Sequence, residues 1–396
     1  MMTEKKLSPW FVLLLSIATG VSVASNNYAQ PLLHTISNDL HITTSSTGII
    51  ITVAQLSYAA GLLLLVPLGD LIERRLLIVS MSFISMLGLI ICAFSQNMTW
   101  LLIGTGIAGF FSVVAQVIIP FAASLANNKE RGKVVGFIMS GLLLGILLAR
   151  TAAGICSYFG NWRTIYIVAA IILFIIILLL FKTLPRYPAP IKMRYYQLIA
   201  STIGQFKKYP LLILYSLLGA LNFAIFSLFW TPIALLLGGS DYQYSDLTIG
   251  LFGLFGAAGA LIAPYAGKLA DKNKSNLVIT LGLTLLMLSW LPIGFVHISI
   301  ILLIIGVITL DLAVQATHVT SMNQVYKIDQ NSRNRLNACY MLFYFIGGAT
   351  ASFSSTWLFA HYGWFGVSIA GASIALIALT IWLIFYPKQS EEQTYE

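Results

Sequence analysis

The sequence predicts an all-α membrane protein with twelve transmembrane helices, arranged as two pseudo-symmetric six-helix bundles. Apolar residues make up 58% of the chain and charged residues 9%, with a mean hydropathy of +0.88, which leaves too little polar surface for a soluble globule of 43.3 kDa. Apolar runs of about 20 residues recur almost end to end, and only helices or closed barrels satisfy the backbone in lipid. Because the runs are continuous rather than alternating, the barrel is excluded.

An internal repeat divides the chain in half. Residues 69–75 read GDLIERR and residues 267–272 read GKLADK, 198 positions later in a chain of 396 residues. Each copy follows an apolar run that ends in proline and glycine, and each leads through charged residues into another apolar run. Repeats of this kind are typical of secondary transporters, in which two helical halves rock about a site between them.

The apolar runs, with the charged and turn-forming residues between them, define the predicted segments. An amino-terminal bundle covers 1–182, a linker 183–210, a carboxy-terminal bundle 211–386 and a tail 387–396. Within the linker, 193–206 is expected to be either a surface helix against anionic headgroups or a solvated basic segment. The twelve predicted helices cover 8–33, 47–68, 76–95, 100–126, 134–157, 163–182, 211–236, 247–266, 276–296, 299–325, 336–360 and 364–386.

The positive charges fix the expected orientation. If both termini are cytoplasmic, 20 of the 22 lysines and arginines fall on the cytoplasmic side, with Arg163 outside and Arg150 within a helix. Cytoplasmic loops carry this excess of bases, so we expect a multi-pass protein of a bacterial cytoplasmic membrane. The net charge of +9 is then a topology signal and not the mark of a nucleic-acid-binding protein.

Nothing in the sequence indicates a metal site or a cofactor. The amino terminus runs straight into helix 1, which we interpret as a retained signal anchor. Cys92, Cys156 and Cys339 fall in three different predicted helices without a CxxC spacing or a histidine cluster, so they are interpreted as packing residues. The expected partners are the lipid bilayer, a small-molecule substrate and protons, and we expect a monomer.

Helix 1 carries a polar run toward its outer half. Amides are costly in lipid, so they are expected to face the bundle interior, where they either bind a substrate or hydrogen-bond between helices. Pro31 is expected to loosen this end of the helix. The candidate substrate-binding residues here are Asn26, Asn27, Tyr28 and Gln30.

Helices 4 and 5 each contain one polar candidate. Gln116 of helix 4 either reaches a substrate or makes a structural hydrogen bond. Arg150 of helix 5 costs on the order of 2.5–3.5 kcal/mol in a helix centre, so it needs a counter-charge or a water-filled path unless it snorkels to the outer headgroups. The glycines that precede it, Gly136, Gly141 and Gly145, predict a close seam with another helix.

Helices 7 and 8 supply a possible substrate wall and a packing face. Asn222 and Trp230 of helix 7 are candidate substrate-binding residues, although the aromatic residues there are equally consistent with an interface belt. Helix 8 presents small residues that suit packing on helix 5, namely Gly250, Gly253, Gly256 and Gly259.

Helix 10 holds Asp311, the one acidic residue that we place inside the membrane. Gln315 and His318 follow at i+4 and i+7 on the same helical face. A carboxylate held away from water can exchange its proton near neutral pH, which is what proton coupling requires. We expect Asp311 to pair with Arg150, because their depths differ by roughly 6 Å at 1.5 Å per residue. The alternative is a static ion pair between two helices, with His318 structural.

Two loop motifs and the glycines of helix 5 make the chain resemble the major facilitator superfamily, and within it the bacterial drug:proton antiporters of the twelve-helix exporter type. The loops are similar to the family signature G-x-L-x-D-R, which 267–272 keeps better than 69–75. Gly141 and Gly145 match the antiporter motif G-x-x-x-G-P, although Ile146 stands where proline is expected. Thr105 occupies the position of the arginine that the family usually carries in helix 4.

The resemblance, which covers nearly the whole chain, implies a carrier of the rocker-switch type. Its cavity would be lined by helices 1, 4, 7 and 10, with helices 2, 5, 8 and 11 at the seam. The charged hairpins would secure the cytoplasmic side, with Asp70 or Glu73 facing the start of helix 11. The hairpin glycines are expected to allow tight turns. The implied gating residues are Gly69, Asp70, Glu73, Arg74, Gly267, Asp271, Arg333 and Arg335.

The leading interpretation is proton-coupled efflux of drug-like or amphipathic compounds, in which the proton and the substrate compete. Proton-coupled uptake or exchange of a polar metabolite is the alternative, supported by the amides of helix 1. A membrane enzyme would need a nucleophile, a metal set or paired carboxylates, which argues against catalysis. A receptor or scaffold would bind without flux and would tolerate loss of the membrane charges.

The charge distribution generates a topological prediction. Protease added outside intact cells should leave the linker at 183–210 intact, whereas protease added to inverted vesicles should cut it. The reason is that five residues of the linker and the preceding Lys182 are basic and belong on the cytoplasmic side. Immunoblotting of the two half-chains measures the outcome. Cleavage of the linker only from outside intact cells would overturn the predicted orientation.

Overall fold

The computed structural model describes residues 7–127, 130–187, 195–256, 265, 274–329 and 332–386. Ten helices of this part are long and apolar enough to cross a membrane. The last of them, Arg333–Phe385, contains two spans, because Gly363 breaks it with a φ of 61°. The shorter apolar helix Asp246–Phe255 adds a twelfth segment. The chain is therefore an all-helical, multi-pass membrane protein of the predicted class.

The observed helices follow the predicted order, and three of the predicted segments are interrupted. Helices 1, 4 and 7 each consist of two helical pieces. The bounds are Pro9–Ala24 and Leu33–Asp39 for helix 1, Thr44–Leu64 for 2, Arg74–Ala93 for 3, Met98–Phe111 and Val114–Leu125 for 4, Arg131–Phe159 for 5, Thr164–Thr183 for 6, Pro210–Trp230 and Ile233–Gly238 for 7, Asp246–Phe255 for 8, Ser275–Gly294 for 9, Ile300–Ile328 for 10 and Arg333–Phe385 for 11 and 12.

Prolines mark the breaks in helices 1 and 7. In helix 1, the short 3-10 turns Ser25–Asn27 and Gln30–Leu32 separate the two pieces, and Pro31 lies in the second turn. In helix 7, the first piece ends at Trp230 and Pro232 lies immediately before the second piece. Proline lacks the backbone N–H that a continuous helix needs, so the chain bends at both places. The expectation that Pro31 loosens helix 1 is confirmed.

The glycines of helix 5 bring three helices into backbone contact. A Cβ at Gly145 would lie 2.6 Å from the Gly20 carbonyl carbon of helix 1. Toward the other end, a Cβ at Gly250 of helix 8 would lie 3.2 Å from the Gly154 Cα. Small residues allow such approach because no side chain separates the helices. The predicted seam on helix 5 is confirmed for Gly141 and Gly145 but is wrong for Gly136, whose Cβ would meet nothing within 4 Å. Helix 8 packs against helix 5 as predicted, through Gly250 and Gly253, while Gly259 lies outside the described residues.

One end of the molecule is closed by contacts between the first six helices and the last six. Thr356 Oγ1 of helix 11 donates to the Ser45 carbonyl oxygen of helix 2 over 2.9 Å. The Asp246 carboxylate of helix 8 accepts hydrogen bonds from Thr35 Oγ1 at 2.7 and 2.8 Å and from Ser157 Oγ. Helices 2, 5, 8 and 11 thus form the seam that the resemblance implied, and helix 1 joins it through Thr35.

Arg163, the base that departs from the charge bias, is neutralised locally at this same end. Its Nη1 lies 2.7 Å from Asp39 Oδ2. Its Nε and Nη2 donate to the Ser95 carbonyl oxygen over 3.1 and 2.9 Å. Trp162 Nε1 also donates to Asp39 Oδ2 over 3.0 Å. One carboxylate therefore holds the loop between helices 5 and 6 against the end of helix 1.

The linker contains the surface helix expected within 193–206. Its described part begins at Tyr195 and runs helically to Ile203. Tyr195 is exposed, and its hydroxyl donates to the Leu64 carbonyl oxygen at the end of helix 2 over 2.6 Å. On the other side, Cys339 Sγ donates to the Thr202 carbonyl oxygen. This helix touches both halves of the chain.

The glycine seam generates a prediction about stability. Gly145→Ala should destabilise the protein by about 1–3 kcal/mol, because the added methyl group would overlap the Gly20 backbone and overpacking costs that much. Gly136→Ala on the same helix is the matched control, since its Cβ would meet nothing within 4 Å. The control should leave stability unchanged or raise it by about 0.5–1 kcal/mol. Thermal unfolding in detergent measures both, and equal effects would contradict the seam.

Candidate functional site

Two buried charges, Arg150 of helix 5 and Asp311 of helix 10, both contact the indole ring of Trp230. Each charged residue is 4% exposed and Trp230 is 1% exposed. The Arg150 Cζ lies 4.0 Å from the centroid of the Trp230 ring. Trp230 Nε1 donates a hydrogen bond of 3.1 Å to Asp311 Oδ1. An indole presents a negative face to a cation and an N–H edge to an anion, so one side chain serves both charges.

The expected direct pair between Arg150 and Asp311 is not formed. Within the described chain, no Arg150 nitrogen lies within 4.0 Å of an Asp311 oxygen. The two groups still interact electrostatically. Depth along a helix sets the height of a residue but not what lies between two facing side chains. Trp230, which the sequence left open between a substrate wall and an interface belt, contacts both groups.

Arg150 has further contacts with helices 1 and 7. Its Nε donates to Gln30 Oε1 over 2.8 Å, and its Cζ lies 5.3 Å from the Phe226 ring centroid. Nη2 is buried and has no hydrogen-bond partner. The arginine is therefore held inside the bundle and does not snorkel to a headgroup region. It keeps one unpaired donor there.

Glycines of helix 8 make room for this group. A Cβ at Gly253 would lie 3.1 Å from the Arg150 Cβ and 3.3 Å from its Cδ. A Cβ at Gly256 would collide with Asp311 Oδ2 and would lie 3.4 Å from Trp230 Cζ2. Helix 8 thus closes over both charges at the positions where it has no side chain.

The other helix 1 candidates face different neighbours. Asn26 Nδ2 donates to Ser112 Oγ of helix 4 over 3.0 Å, while its Oδ1 is buried without a partner. Tyr28 is buried, with its ring centroid 6.2 Å from that of Tyr166 on helix 6. Asn27 is half-buried. Of the four predicted residues, the structure brings only Gln30 to Arg150.

Three of the remaining candidates have partners other than the two charges. Asn222 Nδ2 donates to the Val314 carbonyl oxygen over 3.0 Å, and its Oδ1 is buried and unpaired. His318 Nδ1 lies 3.0 Å from the Tyr340 hydroxyl of helix 11. Gln315 is half-buried beside them on helix 10. In the first half of the chain, Gln116 Nε2 donates to the Tyr58 hydroxyl over 3.4 Å.

A polar link between the two halves was not expected from the sequence. Gln55 of helix 2 donates through Nε2 to Ser227 Oγ of helix 7 over 3.2 Å. Its Oε1 accepts from Ser352 Oγ of helix 11 at 3.5 Å, and Ser352 lies 3.0 Å from Thr231 Oγ1. All four side chains are buried. A single amide within an apolar helix was the available signal, as it was for Gln116.

The structure also contains an aromatic row, defined as Trp230, Phe226, Phe223 and Tyr344. The sequence pointed to Trp230 and Phe223 of helix 7, but Phe226 and Tyr344 were not expected. The centroids of Trp230 and Phe226 are 6.2 Å apart, those of Phe226 and Phe223 are 5.5 Å apart, and those of Phe223 and Tyr344 are 4.2 Å apart. The last two pairs are stacked with interplanar angles of 15°. Phe223 and Phe226 are half-buried. The row leads from the charges toward helix 11.

The first charged hairpin differs from its expected role. The Glu73 carboxylate accepts from the backbone N–H of Arg75 and Leu76, each at 3.0 Å, and of Tyr187 at 3.1 Å. It therefore caps helix 3 and holds the linker, and it does not face helix 11. Burial opposes ionisation of Glu73, but these N–H donors and the Arg75 charge hold the pKa of its carboxyl below its usual value.

Other hairpin residues also lie differently. Gly69 sits in a 3-10 turn without a positive φ, and a Cβ there would be 3.4 Å from Val117 Cγ1, so the turn does not require glycine. Arg74 donates to the Gly69 carbonyl oxygen over 3.1 Å. Arg333 donates to the Tyr326 carbonyl oxygen over 3.3 Å, and Arg335 is half-buried. Gly267, Asp271 and the side chain of Asp70 lie outside the described part.

Comparisons with known proteins agree with the architecture. Residues 15–330 match the Major Facilitator Superfamily. A protein of Escherichia coli O157:H7 named "Uncharacterized transporter YgaY" is 52% identical over 95% of this chain and 96% of its own length. "Probable transporter SCO4007" of Streptomyces coelicolor is 31% identical over 92% of this chain and 85% of its own.

Solved structures share the fold at low sequence identity. A crystal structure of the peptide transporter POT in complex with sulfate superimposes with a TM-score of 0.78 over 96% of this chain and 95% of that chain, at 14% identity. At this identity, the similarity shows the fold alone.

The contact between Trp230 and Asp311 generates a prediction. Trp230→Phe should keep an aromatic ring beside Arg150 but remove the N–H donor to Asp311, whose bond to a charged group is worth about 1.5–3 kcal/mol. Trp290→Phe is the matched control, because Trp290 is 3% exposed and its Nε1 has no partner. Thermal unfolding should therefore show a larger loss for Trp230→Phe. An equal loss would contradict the hydrogen bond.

Proposed function

Since this chain belongs to the Major Facilitator Superfamily, we propose that it is a proton-coupled secondary transporter that moves a small molecule by alternating access. The observation that carries the proposal is the buried group of Arg150, Trp230 and Asp311. A carboxylate enclosed by other helices is expensive unless it is used or fully paired, so intramembrane acids mark proton paths.

Alternating access is supported by the distribution of contacts between the two halves. The hydrogen bonds of Asp246, of Thr356 and of Gln55 join the halves across the closed end and the middle of the molecule. With both termini in the cytoplasm, the closed end faces outward. The structure then corresponds to a state with its outer gate shut, and opening requires Asp246 to release Thr35 and Ser157.

Asp311 is the proposed proton acceptor. When ionised, it accepts from the Trp230 N–H and balances the charge of Arg150 on the other side of the same ring. When protonated, it leaves Arg150 as the one uncompensated charge in this group. The uncompensated charge of Arg150 then favours binding of another anion or hydrogen-bond acceptor. In this way proton binding is linked to substrate binding.

Efflux of a drug-like or amphipathic compound is the first candidate for direction and substrate. It is supported by the resemblance to drug:proton antiporters and by the aromatic row on helices 7 and 11. Uptake or exchange of a polar metabolite is the second candidate. It is supported by the unpaired Arg150 Nη2 and by the unpaired carbonyl oxygens of Asn26 and Asn222.

The proposed carrier is a monomer in the bacterial cytoplasmic membrane, with both termini and the linker on the cytoplasmic side. Residues 1–182 and 211–386 act as the two moving bundles. The hairpin at 69–75 gates the cytoplasmic side through its hold on the linker, because Glu73 binds the Tyr187 N–H. Residues 267–272 are proposed to gate the same side, because they are the second copy of the sequence repeat.

The proposed proton acceptor is tested with Asp311→Asn in reconstituted vesicles. The variant should lose accumulation driven by an imposed pH gradient but keep exchange of substrate between the two sides, since the amide resembles the protonated acid. With an imposed gradient of one pH unit, one coupled proton supports up to about a tenfold accumulation, and this accumulation should be lost. Candidate substrates are first found by proton release or uptake in everted wild-type vesicles.

Asp241→Asn is the control, because Asp241 is an exposed carboxylate beside Ser240 near the closed end. It should accumulate substrate like the wild type. A substrate gradient built by Asp311→Asn from the same pH gradient would place the proton acceptor elsewhere. Binding of a substrate by the wild type without any flux would instead favour a receptor or scaffold.

A further inference from the structure

We propose that the substrate is an aromatic or similarly planar monoanion, whose carboxylate binds Arg150, and that it binds together with a proton on Asp311. This inference rests on the proposed proton-coupled function and adds the substrate class to it. Three observations carry it, namely the unpaired donor of Arg150, the aromatic row beside it and the charge balance of the group.

The unpaired donor points to an acceptor. Arg150 Nε is taken by Gln30, but Nη2 is buried without a partner. A buried guanidinium N–H that finds no acceptor is unfavourable, so the native cycle should supply one. The planar fork of arginine suits a carboxylate, which accepts two parallel N–H bonds. A substrate cation would be repelled at the same place.

The aromatic row indicates what the anion is attached to. Phe226 lies 5.3 Å from the Arg150 Cζ, so a carboxylate at the guanidinium places its ring beside Phe226 and Phe223. These two rings are half-buried, and Phe223 is already stacked on Tyr344 at 4.2 Å. A planar body continues this stack in the offset geometry that aromatic rings prefer. A small aliphatic anion gains nothing from it.

Charge balance links the anion to a proton. Arg150 and ionised Asp311 together are neutral, and an added carboxylate would leave a net negative charge in a region of low dielectric. Protonation of Asp311 removes this charge, so anion and proton favour each other. Among the described groups, Tyr344 on helix 11 interacts electrostatically with Asp311, and His318, seven residues further along helix 10, is hydrogen-bonded to Tyr340.

This coupling has the opposite sign from antiport. Competition between proton and substrate is expected for a cation that binds Asp311, whereas an anion that binds Arg150 is carried in the same direction as the proton. Of the two candidate functions, the inference therefore selects proton-linked movement of a metabolite-like anion. A proton gradient directed into the cell would then drive uptake of the anion.

The test measures binding to the full-length protein purified in detergent, with isothermal titration calorimetry. Benzoate is the probe, with benzamide as a neutral analogue, benzyltrimethylammonium as a cation and acetate as an anion without a ring. Benzoate should bind best. Its affinity should rise by up to about tenfold for each unit that the pH falls between about pH 8 and pH 6, since one proton is taken up with the anion.

Variants separate the two charges. Arg150→Gln should lower benzoate affinity by about ten- to a hundredfold and leave benzamide unaffected, because only the ionic bond is lost. Arg150→Lys should keep part of the affinity, which guards against a folding defect in the first variant. Asp311→Asn should bind benzoate at least as well as the wild type but without the pH dependence.

The outcomes distinguish the substrate class from the proposed function. Equal binding of benzyltrimethylammonium and benzoate, or full benzoate binding by Arg150→Gln, would overturn the inferred class, while coupled transport that depends on Asp311 would leave the function standing. Benzoate binding that needs Arg150 but is independent of pH in the wild type would overturn the joint binding of proton and anion, and with it the role of Asp311.

Discussion

The cost of a charge in a medium of low dielectric governs the centre of this molecule. Arg150 lies deep between helices, and every element around it provides compensation of some kind. Helix 1 breaks beside Pro31 and presents the Gln30 oxygen, helix 7 presents an indole face, and helix 8 comes close because it has glycines there. The irregular features of three helices are thus explained by the buried Arg150 and by Asp311, which contacts the same Trp230 ring.

The two halves use related sequence features for different purposes. Pro31 and Pro232 occupy matching positions in the repeat, and both follow a helix that ends in the bundle interior. In the first half, the break presents Gln30 to a cation. In the second half, it follows Trp230, which binds both a cation and an anion. The repeat therefore explains the shared backbone, whereas the asymmetric side chains define the site.

Much of the fold could be predicted from the sequence, because lipid leaves few choices. Long apolar runs specify helices, glycines such as Gly141 and Gly145 indicate a close seam, and a lone acid such as Asp311 stands out. The arrangement of the site could not be predicted to the same degree. A sequence gives the depth of Arg150 and Asp311 along their helices, but not the rotation of each helix or the ring of Trp230 between them. Glu73 was misjudged because a carboxylate before a helix caps its own N-terminus before it reaches a distant one.

The contact of Arg163 with Asp39 has a consequence for how the chain is made. Asp39 precedes Arg163 by 124 residues, so during synthesis the carboxylate is in place before the arginine emerges. In the proposed orientation, the guanidinium reaches the outer side of the membrane as helices 5 and 6 insert. Its counter-ion, Asp39, is already on that side. Loss of Asp39 would therefore affect biogenesis first. The newly made helix pair would carry an uncompensated base in the wrong compartment, and the ribosome-bound chain would be prone to insert helices 5 and 6 in the inverted sense.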